Sequence, residues 1–237
     1  MKIVLVGYGK MGKAIEEIAV QRGHEIVLKI DVGEMATTTS KQLAKADVAI
    51  EFTNPDSAFE NLVKCHESGL PIVCGSTGWL DRWAEVEHIF KQTGALIYAS
   101  NFSIGVNLFF ELNKKLASLM SNYPEYSPEL KEIHHTQKKD APSGTAVTLA
   151  EQVLKRYPEK SHWVNQATKN PAALAVISER TDPAAGTHHV KYSSSVDDIE
   201  IIHTAHNRQG FAQGAVLAAE YIIGKTGIFT MKNVLGL

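Results

Sequence analysis

The feature that most restricts the fold is Gly7-Tyr8-Gly9-Lys10-Met11-Gly12, a GxGxxG run lying directly after the apolar stretch Lys2–Gly7 and before the helical pattern Met11–Arg22. Glycines at these spacings permit a tight strand-to-helix turn and a close approach of backbone N–H groups to a pyrophosphate at the helix N-terminus. Four further short apolar runs, Glu25–Asp31, Ala46–Thr53, Pro71–Gly75 and Ala95–Ala99, alternate with the amphipathic patterns Asp56–Ser68 and Leu80–Thr93. Continuous apolar strands joined by amphipathic helices are the pattern of a doubly wound parallel sheet. The first hundred residues are therefore predicted to form a Rossmann-like dinucleotide-binding domain.

Asp31 ends the second strand, where a carboxylate accepts hydrogen bonds from the adenosine ribose hydroxyls. Its charge repels a 2′-phosphate, and Val32 and Gly33 supply no compensating arginine, which favours NADH. Lys29 and Lys41 are the cations that would keep NADPH open. Two loops at carboxyl ends of strands, Phe52-Thr53-Asn54-Pro55 and Gly75-Ser76-Thr77-Gly78, face the ligand crevice of such a sheet, although Asn, Ser and Thr also cap helices without any ligand.

After Ser100 the texture changes. Val106–Met120 reads as a longer amphipathic helix with Leu108, Leu112, Leu116, Leu119 and Met120 on one face. Glu129–His135, Ala173–Glu179, His188–Ser193 and Asp198–Ala205 read as strands, Ser143–Arg156 as a helix, and Tyr157–Pro171 as a polar mobile loop. This order predicts an α+β domain with an open mixed sheet and helices on one face. From Gly210 a helical pattern carrying Phe211, Val216, Leu217 and Ile222 returns the chain to the first domain. The expected division is 1–103 with 209–237 for dinucleotide binding, and 104–208 for substrate binding and oligomerisation.

Residues Glu132–Thr145 hold the densest chemistry: two adjacent histidines, two lysines and a helix start within Glu-Ile-His-His-Thr-Gln-Lys-Lys-Asp-Ala-Pro-Ser-Gly-Thr. Neighbouring residues at a strand end point to opposite sides, so at most one of His134 and His135 faces a given ligand directly. Pro142–Thr145 opens a helix, placing backbone N–H groups and two hydroxyls at a positive terminus suited to a carboxylate or phosphate. Lys138 adds a cation or proton donor, and either histidine can exchange protons near neutrality.

That block, E-x-H-H-x-x-K-x-D-A-P-S-G-T-A, resembles the signature of the 4-hydroxy-tetrahydrodipicolinate reductases. The fingerprint at Gly7–Gly12, the G-S-T-G loop at Gly75–Gly78, the A-N-F-S-x-G-V-like junction at Ala99–Val106 and the Thr204–Ala215 segment are similar to that family as well, so the likeness spans nearly the whole chain. The resemblance implies that His134 is the acid/base histidine and Lys138 the catalytic lysine. It implies that His135, Ser143, Gly144, Thr145 and Thr77 hold a dicarboxylate substrate. It places cofactor contacts at Gly7, Tyr8, Gly9, Lys10, Met11, Gly12, Asp31, Phe52, Thr53, Gly75, Ser76, Thr77, Ser100, Asn101, Phe102 and Ser103. The implied reaction is loss of water from a hydroxylated cyclic imine, hydride transfer from NADH or NADPH, and protonation of the resulting enamine. A homotetramer built through the second sheet is implied too, with Ala173–Ile177 and Ile199–Ile202 as the strands for that surface, and closure about Ser103–Gly105 and Arg208–Gly210.

Three departures from the family pattern stand out: a reduced segment between Asp31 and Ala46, no arginine after Asp31, and Asp182-Pro183 in place of a glycine-rich hairpin within Arg180–His188. Another two-domain dehydrogenase would share the cofactor domain but not Glu132–Ala146, and a non-catalytic dinucleotide sensor would leave His134 and Lys138 without work. His188, His189, His203 and His206 lack metal-like spacing, so no metal is expected. Cys65 and Cys74 match neither a CxxC pair nor a disulfide framework and read as small buried hydrophobes. Trp79, Trp83 and Trp163 read as packing anchors or an interface rather than a stacking platform. A net charge of −2 from 24 basic and 26 acidic residues argues against nucleic-acid or membrane partners. The N-terminal apolar run is too short for a signal or spanning segment, giving a cytoplasmic expectation.

Overall fold

The structure, a computed structural model, describes residues 1–237. The chain forms two compact units, Met1–Ile104 with Arg208–Leu237, and Gly105–Asn207.

The first unit is built on β1 (Lys2–Val6), β2 (Glu25–Ile30), β3 (Val48–Glu51), β4 (Ile72–Cys74), β5 (Ala95–Tyr98) and β11 (Gly227–Phe229), every pair parallel, in the order β11-β5-β4-β3-β1-β2. Strands this apolar are buried on both faces. Ile3 and Leu5 point into a core shared with α1 (Lys10–Gln21) and α7 (Gln209–Ile222), while Val4 and Val6 point into another beneath α3 (Pro55–Glu67) and α4 (Trp83–Gln92). Strand order reverses between β1 and β3, so the turns after these two strands open at the sheet's switch point, where doubly wound folds bind ligands. Asn54 caps α3 by accepting the N–H groups of Asp56 and Ser57 at 3.0 and 3.1 Å, with Pro55 in the first turn.

The second unit carries a mixed sheet of β6 (Ser127–His134), β7 (His162–Val164), β8 (Ala173–Arg180), β9 (Gly186–Ser193) and β10 (Asp198–Ala205), in the order β10-β9-β6-β8-β7. β6 runs antiparallel to β9 and parallel to β8. Helices α5 (Ile104–Met120) and α6 (Gly144–Leu154) bring Phe109, Ala117, Met120, Leu149, Ala150 and Val153 against Leu130, Val176, Val190 and Tyr192 of the sheet. Burial along β6 alternates strictly, with Pro128, Leu130, Glu132 and His134 inward. The inner row thus passes from apolar to ionisable as the strand reaches its carboxyl end.

Several expected elements differ. The leucine face read on α5 is turned outward: Leu108, Leu112 and Leu119 are about half exposed, and the buried face is Val106, Phe109, Asn113, Ala117 and Met120. Asn113 is buried because its amide donates to Leu149 O and Gln152 Oε1, a tertiary bond that hydropathy does not register. Within Tyr157–Pro171, Tyr157 is buried and β7 pairs with β8, so a sheet edge replaces the expected single loop. The helical pattern Leu80–Thr93 splits into a 3-10 turn, Leu80–Arg82, and α4. In α7 the packing surface is carried by Ala212, Ala215, Ala218 and Ala219 beside Val216 and Ile222, while Phe211 and Leu217 are only partly buried. β11, which completes the first sheet, and α8 (Met231–Leu235) were not expected. No helix is long and apolar enough to cross a membrane.

Candidate active site

In the first unit, the chain turns at Gly7 with φ +94°, and a Cβ there would fall 2.2 Å from the Phe52 carbonyl oxygen. Only glycine satisfies both requirements. Gly9 is the N-cap of α1, exposed, with nothing within 4 Å of an added Cβ, so α1 presents its first N–H groups beside open space. Such a terminus fits a pyrophosphate. Lys10 is exposed beside it, and Tyr8 and Met11 are half-buried. Gly12 is buried because an added Cβ would meet Gly7 O at 2.2 Å. Asp31 follows β2 at the same edge and is exposed, with Oδ1 accepting the Val32 N–H at 2.8 Å. Lys29, one of the two cations weighed for a 2′-phosphate, pairs with Glu16 at 2.7 Å and donates to Tyr8 Oη at 3.0 Å; Lys41 lies exposed in the short α2 (Ser40–Leu43).

The turns after β3 and β4 are joined by a residue that sequence reasoning passed over. Glu51, fully buried at the end of β3, accepts from the Thr53 N–H at 3.0 Å, Ser76 Oγ at 3.0 Å, Asn61 Nδ2 at 3.4 Å and Cys74 Sγ at 3.1 Å, and makes a short contact with Thr53 Oγ1. All of these donors are neutral. Phe52 lies against Gly75, where a Cβ would meet its ring at 2.2 Å, and Trp79 donates to Ser76 O at 2.7 Å. Thr77 and Ser100 are exposed, Phe102 and Ser103 are buried, and Asn101 Oδ1 accepts the Ser103 N–H at 2.8 Å. Burial, and then the Glu51 charge, holds the Cys74 thiol well above its usual value, and burial pushes the Cys65 thiol up to about 12. Both are free, buried and unreactive in character, as expected of small hydrophobes.

In the second unit the inward row of β6 brings ionisable groups together. Glu132 is fully buried, and its sheet neighbours are Ser178 on β8 and His188 on β9. Its carboxylate accepts the Ser143 N–H at 3.1 Å on each oxygen, Ser178 Oγ at 2.8 Å and Arg180 Nη2 at 3.1 Å. Burial alone would raise this carboxyl, but the bonds from Ser143, Ser178 and Arg180 outweigh it and hold it below its usual value. His134 Nδ1 stands 3.4 Å and His188 Nε2 3.7 Å from Glu132 Oε2, and the two rings meet edge to face with centroids 5.1 Å apart. Gly186, at φ +152°, leaves room for His134, whose Nε2 would lie 3.0 Å from an added Cβ.

Desolvation lowers the proton affinity of His134, partly offset by Glu132 and reinforced by Lys138 and Arg180. His188 falls to about 4, from burial first and the neighbouring His134 second. Both rings are neutral near pH 7. His135, the first residue after β6, is half-buried.

Lys138 donates to both Asp140 carboxylate oxygens at 2.8 and 2.9 Å. Arg180 Nη2 also donates to Asp140 O at 2.6 Å, tying that loop to β8. Ser143 faces inward: its Oγ caps α6 by accepting the Ala146 N–H at 3.2 Å and contacts His188 Nε2 at 3.2 Å. Gly144 is exposed with open space about it, and Thr145 is half-buried, so the outward part of the α6 terminus is made by these two.

Ligand atoms of Glu132, His134 and His188 lie within 4.8 Å of one another, which brings one histidine of the discounted C-terminal quartet into a potential donor set. Arg180 already balances the carboxylate, and an added cation would compete with it. His189 instead pairs with Glu200 on the strand's other side, at 2.8 Å.

Two family models divide the chain between them: dihydrodipicolinate reductase N-terminus over residues 1–102, and dihydrodipicolinate reductase C-terminus over residues 105–235. The chain belongs to the dihydrodipicolinate reductase family. The 4-hydroxy-tetrahydrodipicolinate reductase of Christiangramia forsetii is 49% identical over 237 residues, covering 99% of this chain and 98% of that protein. The enzyme of the same name from Neisseria meningitidis serogroup B is 32% identical, covering 94% and 84%. Among solved structures, a dipicolinate-bound dihydrodipicolinate reductase from Paenisporosarcina sp. TG-14 shares the fold with a TM-score of 0.75 at 21% identity, covering 97% of each chain.

Sequence reasoning placed His134, Lys138 and the α6 start in one block but missed, in the second unit, Arg180 and His188 as partners and Glu132 as their centre, and, in the first unit, Glu51. The signal for Glu132 was present in the period-two row Leu130, Glu132, His134: an acidic residue in phase with a buried leucine needs a compensating group nearby.

Proposed function

We propose that this chain is a 4-hydroxy-tetrahydrodipicolinate reductase, reducing a dehydrated cyclic imine dicarboxylate to tetrahydrodipicolinate with a reduced nicotinamide dinucleotide. The observation that carries the reading is that, in a member of this family, the end of β6 at His134, the following loop with Lys138 and the N-terminus of α6 form one continuous stretch of the second unit. The nicotinamide supplies the hydride when bound. Gly7, Tyr8, Gly9, Lys10, Met11 and Gly12 seat the pyrophosphate on α1, and Asp31 takes the ribose. The Phe52–Thr53, Gly75–Thr77 and Ser100–Ser103 segments complete the cofactor rim.

In the second unit the N-terminal turn of α6, at exposed Gly144 and half-buried Thr145, receives one substrate carboxylate, with Ser143 holding the terminus in place and His135 beside it. Lys138 exchanges Asp140 for the anionic substrate and neutralises charge close to the reacting ring. His134, neutral at rest and buried against Glu132, is suited to take up a proton from solvent and pass it on, returning to the neutral ring. NADH is favoured over NADPH, because Asp31 is followed by no arginine and the Lys29 ammonium is held by Glu16. Assembly as a homotetramer uses the second sheet. Ala173–Val176 are already buried within the unit, so exposed Ile202 and half-exposed Ile199 on β10 are the apolar groups left for that surface.

The test forms the imine in situ from pyruvate and aspartate semialdehyde with a synthase and follows loss of reduced-nicotinamide absorbance with NADH and NADPH separately. Substrate-dependent oxidation, faster with NADH and reduced by about 10² to 10⁴ in His134→Gln and Lys138→Ala, is the expected result. Folded protein that binds NADH without such oxidation overturns the reading.

A further inference from the structure

We propose that Glu132 is a positioning residue: one buried carboxylate that holds the α6 terminus, the Lys138 loop and His134 in a single register. Glu132 grips Ser143 N–H through both oxygens, fixing the first turn of α6 whose outward N–H groups are Gly144 and Thr145. It also binds Arg180, and the same Arg180 nitrogen reaches Asp140 O at 2.6 Å, so the loop bearing Lys138 is anchored through the guanidinium. The inward ring of His134 meets Oε2 at 3.4 Å without an aligned hydrogen bond, leaving Nδ1 with no other partner. Ser178 contributes the remaining donor from β8.

No single neighbour could replace this arrangement. The hydrogen bonds come from β8 and the loop into α6, which lie 11 to 48 residues from Glu132 along the chain. A neutral amide of the same shape keeps two heteroatoms but turns one acceptor into a donor facing Ser143 N–H or Arg180. The charged and titratable groups around His134 are Glu132 on its own strand, Lys138 and Asp140 on the loop, Arg180 on β8 and His188 on β9. Glu132 and Arg180 therefore act on its proton affinity with opposite signs.

The inference rests on the acid/base reading of His134 but is tested partly without it. In full-length chain labelled at histidine, the His134 resonance, assigned by its loss in His134→Gln, is titrated by NMR in Glu132→Gln and Arg180→Gln, with turnover measured against pH. Loss of the carboxylate charge should move the His134 titration to lower pH and loss of the guanidinium to higher pH. The limb of the kcat profile should follow each, and kcat/KM for the imine should fall about tenfold or more in Glu132→Gln while KM for the dinucleotide stays within twofold. Opposite shifts report the two charges beside His134; a carboxylate that only supports the fold would leave kcat/KM for the imine unchanged. An unmoved His134 titration in folded Glu132→Gln, or an unchanged kcat/KM, overturns the proposal. Should Glu132→Gln not fold, an unmoved titration in Arg180→Gln does the same. Opposite NMR shifts without a matching kcat limb uphold the positioning role and instead sink the acid/base assignment.

Discussion

Each unit buries one carboxylate at the carboxyl end of a central strand, and the two are solvated by the protein in opposite ways. Glu51 at the end of β3 is met only by neutral donors, those of Thr53, Asn61, Cys74 and Ser76. Glu132 near the end of β6 is met by a backbone N–H, a hydroxyl, a guanidinium and two imidazoles. A buried charge needs several compensating donors wherever it lies. Neutral donors fix geometry, and the one titratable group among them, the Cys74 thiol, is held well above its usual value. An arginine and two histidines also fix geometry, but they make the local charge sensitive to protons. The first arrangement suits loops that must stay still, and the second suits a place whose charge responds to protons.

The difference predicts unequal costs. Glu132→Ala leaves the Arg180 guanidinium and the Ser143 N–H without their partner, and a broken buried pair costs about 3 kcal/mol or more; urea denaturation should show that loss, and one below 1 kcal/mol would break the contrast. Acid should expose the second unit next. His188 falls from an ordinary 6.5 to about 4, so the unfolded chain binds a proton that the folded chain refuses between those values. Stability must then decline as pH drops from 6.5 towards 4, by about 3 kcal/mol for this residue at 1.4 kcal/mol per unit. His188→Asn should flatten that slope in a pH series of denaturant midpoints, whereas an equally steep series in the variant would remove His188 as its cause.

In the first unit, Glu51→Ala strands neutral donors only, with an expected cost of about 1–3 kcal/mol. Its signature should be a raised KM for dinucleotide, because the Thr53 and Ser76 turns lose their common anchor; a raised KM for the imine alone would contradict that placement. Smallest of all, Lys29→Met removes an ion pair with Glu16 that is well exposed on the lysine side, and thermal denaturation should register little or no change in Tm.

How far the chain could be read in advance depends on the range of the interaction. Gly7–Gly12 and the strand–helix alternation are local, and the doubly wound sheet follows from them. The block from His134 to Thr145 is also local, so its chemistry was visible before its geometry. The outward leucines of α5 were misread because helical spacing defines a face without saying which face meets the sheet, and the buried Asn113 amide decides that through Leu149 and Gln152. β7 and β11 escaped notice because three-residue edge strands carry too little periodicity to stand apart from a loop.

By itself, then, the sequence determined the family, the two sheets and the stretch that carries the chemistry, since these rest on motifs and periodicities within a few turns of chain. Only the tertiary structure decided which charges compensate one another. Glu132 finds Arg180 at a separation of 48 residues and Ser143 at 11, through a strand register and a helix cap that local pattern does not encode. Glu51 finds Ser76 across 25 residues for the same reason. Burial makes such pairings obligatory, and the sheet chooses the partners.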